Sequence, residues 1–237
     1  MPLSLFYFLI QALNPLPAPH LLLDPGHGGT NRGAPSLSAS VYEKDLTLKM
    51  ARTLQRKLQK RGLRVELTRT RDTYMTLRER AALARRRRPY CFMSLHFNAS
   101  PLHNRRGIEI FHTHPQDAPS RELLSLLPQG PLRAIPNPAI PASSLVTRLR
   151  QSHSAHGSVL LAKRLGWRML ARGFHVERVL AGSYDVLEGT DTRAVLFEGG
   201  FLDHPDEGRL LLQETYRDQL TTQMTDILVK ICRKPTR

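Results

Sequence analysis

The chain is predicted to be α/β: a single domain with a mostly parallel sheet and helices on both faces. Three observations carry this expectation. Short apolar runs alternate with segments whose apolar residues recur every three to four positions, the pattern of strands alternating with amphipathic helices. Several runs are near-continuously apolar, as strands buried on both faces require. The 237 residues, 41% of them hydrophobic, are enough for one large core.

The elements follow in order. His20–Asp24 is a short apolar run and reads as the first strand. Leu46, Met50, Leu54 and Leu58 recur every four residues, so Asp45–Arg61 reads as a helix, closed by Gly62. Leu63–Thr68 alternates and reads as a second strand. Thr76 and Glu79 form a capping box that opens a helix toward Arg86. The basic run Arg85–Arg88 suits the negative end of that helix, and Pro89 stops it. Cys91–Leu95 is a third strand ending at His96, and Gly107–Phe111 a fourth. His114–Arg150 is dense in proline and reads as an inserted flap with one short helix near Arg121–Leu127. A helix over Ser154–Arg172 follows, then strands at Arg178–Val186 and Ala194–Phe197, the latter running into Glu198. Glu207–Leu212 and Tyr216–Ile231 close the chain as helices.

The net charge of +15 favours anionic partners: nucleic acid, an acidic lipid surface or an anionic wall polymer. Aromatic residues are sparse at 6%, and no nucleic-acid reader motif is visible. No run of about 18 apolar residues occurs, which excludes an ordinary membrane span. Residues 1–19, with apolar Leu3–Leu13 ahead of a Pro-rich stretch, read as a signal or anchor segment. The two cysteines, Cys91 and Cys232, suggest no disulfide framework.

The chemistry sits where strands end. His27 lies in Asp24-Pro25-Gly26-His27-Gly28-Gly29, just past the first strand, where open α/β sheets build their sites. His96 ends the third strand and Glu198 the last; Glu43 precedes the first helix. Parallel strands end on one edge, so the four can converge. Two His and a carboxylate are a catalytic zinc set with a fourth position open for water, and a second carboxylate then serves as base. The residues alone leave open which glutamate has which role.

These motifs, with Glu43-Lys44-Asp45, Thr68-Arg69, Leu77-Arg78-Glu79-Arg80, Ser94-Leu95-His96-Phe97-Asn98-Ala99 and Phe197-Glu198-Gly199-Gly200-Phe201-Leu202, resemble the zinc-dependent N-acetylmuramoyl-L-alanine amidases of the third amidase family. The resemblance covers most of Leu21–Ile231. It implies a six-stranded, mostly parallel sheet, a catalytic domain over residues 20–237 with a Pro-rich insert at 114–150, and one Zn²⁺ held by His27, Glu43 and His96. It implies Glu198 as catalytic base and hydrolysis of the amide between N-acetylmuramic acid and L-alanine in peptidoglycan. A cell-envelope location, periplasmic or exported, follows from that substrate. Expected partners are peptidoglycan, an anionic membrane or wall polymer, and an activator protein of unknown identity; nucleic acid is not expected. Asp203-His204 departs from the family's usual Ser-Asn, and Phe97 fills a position that is usually smaller. Competing readings are another zinc peptidoglycan amidohydrolase or carboxypeptidase, and a non-catalytic basic protein that binds nucleic acid or a membrane surface.

Supporting roles are expected elsewhere. Asp24 forms the turn or supports the ligands, and Arg69 and Arg80 tie loops together through acidic neighbours. His112 and His114 share a face and are solvated or touch substrate. The insert reads as a flap that limits access to the zinc edge or as a plain disordered surface loop; if its helix lies over the site, Glu122 can reach the open metal position.

Overall fold

The computed structural model describes residues 18–114 and 142–233, the side chains of 142–153 apart. The expectations for Leu3–Leu13, the Arg121–Leu127 helix and Glu122 lie outside the described residues. The strands are β1 (Leu21–Pro25), β2 (Val65–Leu67), β3 (Cys91–Asn98), β4 (Ile108–His112), β5 (Val176–Ala181) and β6 (Arg193–Phe201). The helices are α1 (Glu43–Lys60), α2 (Leu77–Arg87), α3 (Ala142–Leu170), α4 (Asp185–Glu188), α5 (Pro205–Leu212) and α6 (Glu214–Cys232). One six-stranded sheet runs β2-β1-β3-β6-β4-β5. All neighbours are parallel except β4 and β6, which are antiparallel.

The alternation of side chains across a strand splits the core in two. On one face Leu21, Leu23, Met93, Leu95, Phe97, Ile110, Val195 and Phe197 pack under α1, α3 and α6. Leu46, Met50, Leu54 and Leu58 supply the apolar stripe of α1, as their spacing predicts. On the other face Leu22, Phe92, Phe111, Ala194 and Leu196 meet Ala84 of α2 and Val186 and Leu187 of α4. That smaller cluster covers only the half of the face where β6 begins. Toward the carboxyl ends of β1, β3 and β6 the same face becomes polar, with Asp24, Ser94, His96, Asn98 and Glu198 following by alternation.

The capping box forms: the Thr76 hydroxyl accepts from the Glu79 amide at 3.2 Å, and Glu79 accepts from the Thr76 amide at 2.8 Å. Four expectations are corrected. Helix α3 starts at Ala142, so the Pro-rich insert is shorter than 114–150; Pro141 is its last proline, and nothing after it opposes helix. Strand β5 ends at Ala181, and Asp185–Glu188 is a helical turn rather than strand. Glu198 lies inside β6, not at its end. The pairing of β3 with β6 shifts register between His96 and Asn98, a bulge that lets β6 continue through Gly199 and Gly200.

The fourth correction concerns the cysteines: Cys91 and Cys232 form a disulfide, with Cα atoms 5.6 Å apart across 141 residues of sequence. Helix α6 returns over the sheet and delivers Cys232 to the start of β3, a contact that spacing does not reveal. The cross-link closes a long loop of the unfolded chain, so Cys232→Ser is expected to cost about 2–4 kcal/mol. That corresponds to roughly 5–15 °C in Tm, read by thermal unfolding with and without reductant. Equal Tm values under both conditions in the wild-type chain would show that the bridge contributes nothing.

Because β4 runs against β6, its last residue, His112, pairs with Val195 at the edge where β6 begins. The Pro-rich insert therefore leaves the sheet at the edge opposite the catalytic candidates. His112 is buried there, its Nδ1 bonded to the Thr113 carbonyl at 2.9 Å, and is not brought to the candidate site.

Candidate active site

The loop after β1 turns sharply and places His27 over the sheet edge. Its φ of 59° lies in the left-handed region, uncommon for a residue with a side chain and held here by its surroundings. The Gly28 and Asn31 backbones exchange hydrogen bonds, and His27 Nδ1 meets Asn31 Oδ1 at 2.9 Å. That contact fixes the ring so that Nε2 faces Glu43 Oε2, 2.9 Å away.

Glu43 is the first residue of α1 and only 3% exposed. Its Oε1 accepts from His96 Nδ1 at 2.9 Å and from the Phe97 amide at 3.0 Å; its Oε2 accepts from the Ala34 amide at 2.9 Å. Burial alone would raise its pKa, but the hydrogen bonds from His27 and His96 win and hold it well below the usual carboxylate range. Burial likewise works against charge on His96, yet the Glu43 carboxylate lifts that imidazole to about 9. The rings of His27 and His96 stand edge to face, with centroids 4.9 Å apart.

The sequence places glycine where these side chains need room. A Cβ on Gly26 would lie 2.3 Å from the His96 ring. One on Gly33, whose φ is +69°, would lie 2.5 Å from Glu43 Oε2 and 2.7 Å from the His27 ring. Gly33 and Asn31 are positions at the candidate site that the sequence did not single out; the Gly-rich composition of the loop was the only signal.

Beneath the loop lies a buried polar framework. Asp24 accepts from Arg80 at 2.6 Å, Thr68 at 2.6 Å and Ser94 at 2.8 Å. Arg80 also donates to the Pro25 and His27 carbonyls, at 2.8 and 2.6 Å. Arg69 donates to the Pro25, Gly26 and Lys44 carbonyls. Arg80 thus has the expected acidic partner, whereas Arg69 works through backbone carbonyls. The departing pair Asp203-His204 has structural work: Asp203 accepts from the Ser100 amide and His103, and His204 caps α5.

Glu198 is the direct parallel neighbour of His96 and shares its face of the sheet. Burial pushes its carboxyl up to about 8; His96 opposes this, and the negative charges of Glu43 and Glu109 add to it. Its Oε2 is buried with no hydrogen-bond partner among the described residues. A buried carboxylate oxygen left unpaired is costly unless a substrate, water or cation completes it.

His27, Glu43 and His96 each offer one ligand atom, and these atoms lie within 4.8 Å of one another. This is the one such group among the described residues. Two imidazole nitrogens and a carboxylate oxygen are a donor set suited to a divalent transition ion, and the ligands' own support (Asn31 on His27, two backbone amides on Glu43) is in place. The residues therefore fit a metal.

A family model described as N-acetylmuramoyl-L-alanine amidase matches residues 21–230. The chain belongs to the N-acetylmuramoyl-L-alanine amidase family. The match spans every element from β1 through most of α6, so fold and candidate site both fall inside this family's domain. The chain is 31% identical over 209 residues to N-acetylmuramoyl-L-alanine amidase AmiC of Neisseria meningitidis serogroup B, covering 85% of this chain and 50% of AmiC. It is 29% identical over 214 residues to the probable cell wall amidase LytH of Staphylococcus aureus, covering 90% of this chain and 58% of LytH. The chain thus spans about half the length of the curated relatives it matches. Among solved structures, an N-acetylmuramoyl-L-alanine amidase from Clostridium difficile 630 superposes with a TM-score of 0.69 at 27% identity, over 89% of this chain and 94% of that one.

Proposed function

We propose that the chain is a zinc-dependent amidase that hydrolyses the bond between N-acetylmuramic acid and L-alanine in peptidoglycan. The observation that carries this reading is the His27–Glu43–His96 cluster with the unpartnered Glu198 Oε2 beside it on the same face. A Zn²⁺ held by these three residues would polarise the scissile carbonyl and acidify water. Glu43 is spent on both imidazoles and two backbone amides, so it is the ligand and not the base. Glu198 Oε2 has an unused lone pair; it takes the proton of the attacking water and then delivers it to the departing amide nitrogen. Asn31 holds the orientation of His27, and Arg80 holds the loop that carries it.

The cell envelope is the proposed place of action. A wall substrate and the disulfide, which forms and persists in oxidising compartments, support it. Among the described residues no helix is long and apolar enough to cross a membrane.

Digestion of purified peptidoglycan tests the activity. The expected outcome is release of peptides with new N-terminal alanine, no new reducing sugar ends, and loss of release on chelation. Free amino acids released from peptide ends would instead identify a carboxypeptidase. Purified protein that releases nothing with zinc restored would overturn the reading.

A further inference from the structure

The polar face does not stop at Glu198. The next strand, β4, places Glu109 directly opposite Glu198 in the antiparallel pair, and β5 places Arg178 beside Glu109. Glu109 is only 1% exposed. Its Oε1 accepts from Arg105 Nη2 and from Arg178 Nε, both at 2.5 Å, and its Oε2 accepts from Asn98 Nδ2 at 2.6 Å. Arg105 also lies over the Phe201 ring, 4.9 Å from its centroid.

Two opposing guanidiniums on one buried carboxylate leave a positive excess at the open edge. Their side chains remain 39% and 38% exposed. Each guanidinium carries five N–H donors in a rigid fork. Glu109 takes one from each, and the others have no further partner among the described residues. Held by Glu109 and Phe201, the forks have little freedom left to lose on meeting a ligand, which is the condition for tight recognition of a planar anion.

We propose that Arg105 and Arg178, pinned by Glu109, form a subsite for a free carboxylate on the peptide arm of the substrate. The proposal rests on the amidase reading for the identity of that arm. Neighbouring strands lie about 4.8 Å apart, so the forks stand one to two strand spacings from Glu198, roughly 5–10 Å. An extended peptide covers that distance in two to three residues, at about 3.3 Å each. The carboxylate engaged is therefore carried by the second or third residue beyond the bond that is cut. The peptide would cross the sheet from His96 toward β5, with the sugar on the His27 side.

The test separates this subsite from the activity. An N-acetylmuramoyl tripeptide is prepared with the carboxyl groups of its second and third residues free, and again with both as carboxamides. Each is titrated calorimetrically into the Glu198→Gln protein, whose slowed hydrolysis leaves the compound intact over the titration. The free-acid form is expected to bind at least about tenfold more tightly, the scale of a charge-assisted hydrogen-bond pair. Adding Arg105→Ala or Arg178→Ala is expected to bring the ratio near one. Arg178→Lys keeps a cation against Glu109, guards against misfolding, and is expected to reduce the ratio to a few-fold because the fork is gone. Equal affinity for the two forms, no binding of either, or a ratio that survives all three substitutions would overturn the subsite. If the ratio behaves as expected but the wild-type chain cuts neither compound, the subsite stands and the amidase reading falls.

Discussion

Glu198→Gln is expected to leave metal content unchanged and to slow peptide release by about 10²–10⁴-fold, the usual worth of a positioned general base. The substitution keeps the shape of the side chain and the strand around it. It removes a carboxylate whose Oε2 is buried on this face with no hydrogen-bond partner among the described residues. Glu43 cannot take over, because both of its oxygens are already held by His27, His96 and the amides of Ala34 and Phe97. Glu109 cannot either, because it is bound by Asn98, Arg105 and Arg178. The neutral amide also removes a buried carboxyl whose charged form is disfavoured, so the Gln protein is expected to be at least as stable as wild type. Loss of rate without loss of Tm or of metal is the signature of a proton carrier. A Gln variant that digests peptidoglycan at the wild-type rate would remove Glu198 from that role.

How much of this was legible beforehand follows from the range over which each signal acts. The runs at Leu21–Leu23 and Ala194–Phe197 announce buried strands, and the Thr76–Glu79 box announces a helix start, because each depends on residues within one turn or one strand. His27, Glu43, His96 and Glu198 stood out as candidates because they sit beside such elements, and the structure brings the four to one edge of the sheet. Strand direction is not local: Gly107–Phe111 shows apolar character but nothing that says β4 opposes β6, and that reversal decides where the Pro-rich insert leaves the sheet. Gly199-Gly200 reads as a strand end, yet a bulge carries β6 through it. The Cys91–Cys232 bridge depends on where α6 returns, and the Glu109–Arg105–Arg178 group on the register of three strands. Asn31 and Gly33 escaped notice because a turn rich in glycine and asparagine is common without a site beneath it.

Removing a proposed metal ligand has the largest expected effect. His96→Ala and His27→Ala are each expected to lower zinc from about one ion per chain to near zero and to abolish peptide release. Three protein ligands are the usual number for a catalytic zinc, and two cannot hold the ion against a chelator. The two variants differ in what they leave behind. His96 sits on β3, packed against Gly26, and its loss takes one donor from the buried Glu43, which keeps His27 and two backbone amides. His27 sits on the loop at a φ of 59°, and its loss leaves Asn31 Oδ1 with the Gly33 amide alone. Asn31→Ala leaves all three ligands present but lets the His27 ring turn, and is expected to weaken zinc affinity by about 10–100-fold rather than abolish it. Elemental analysis after dialysis against a graded series of chelators orders the set: wild type, then Asn31→Ala, then the two histidine variants. Zinc retained at one ion per chain in both histidine variants would place the ion elsewhere, and with it the reaction. Zinc lost equally from Asn31→Ala would mean that the orientation of His27, and not only its presence, is what the Gly-rich loop is built to supply.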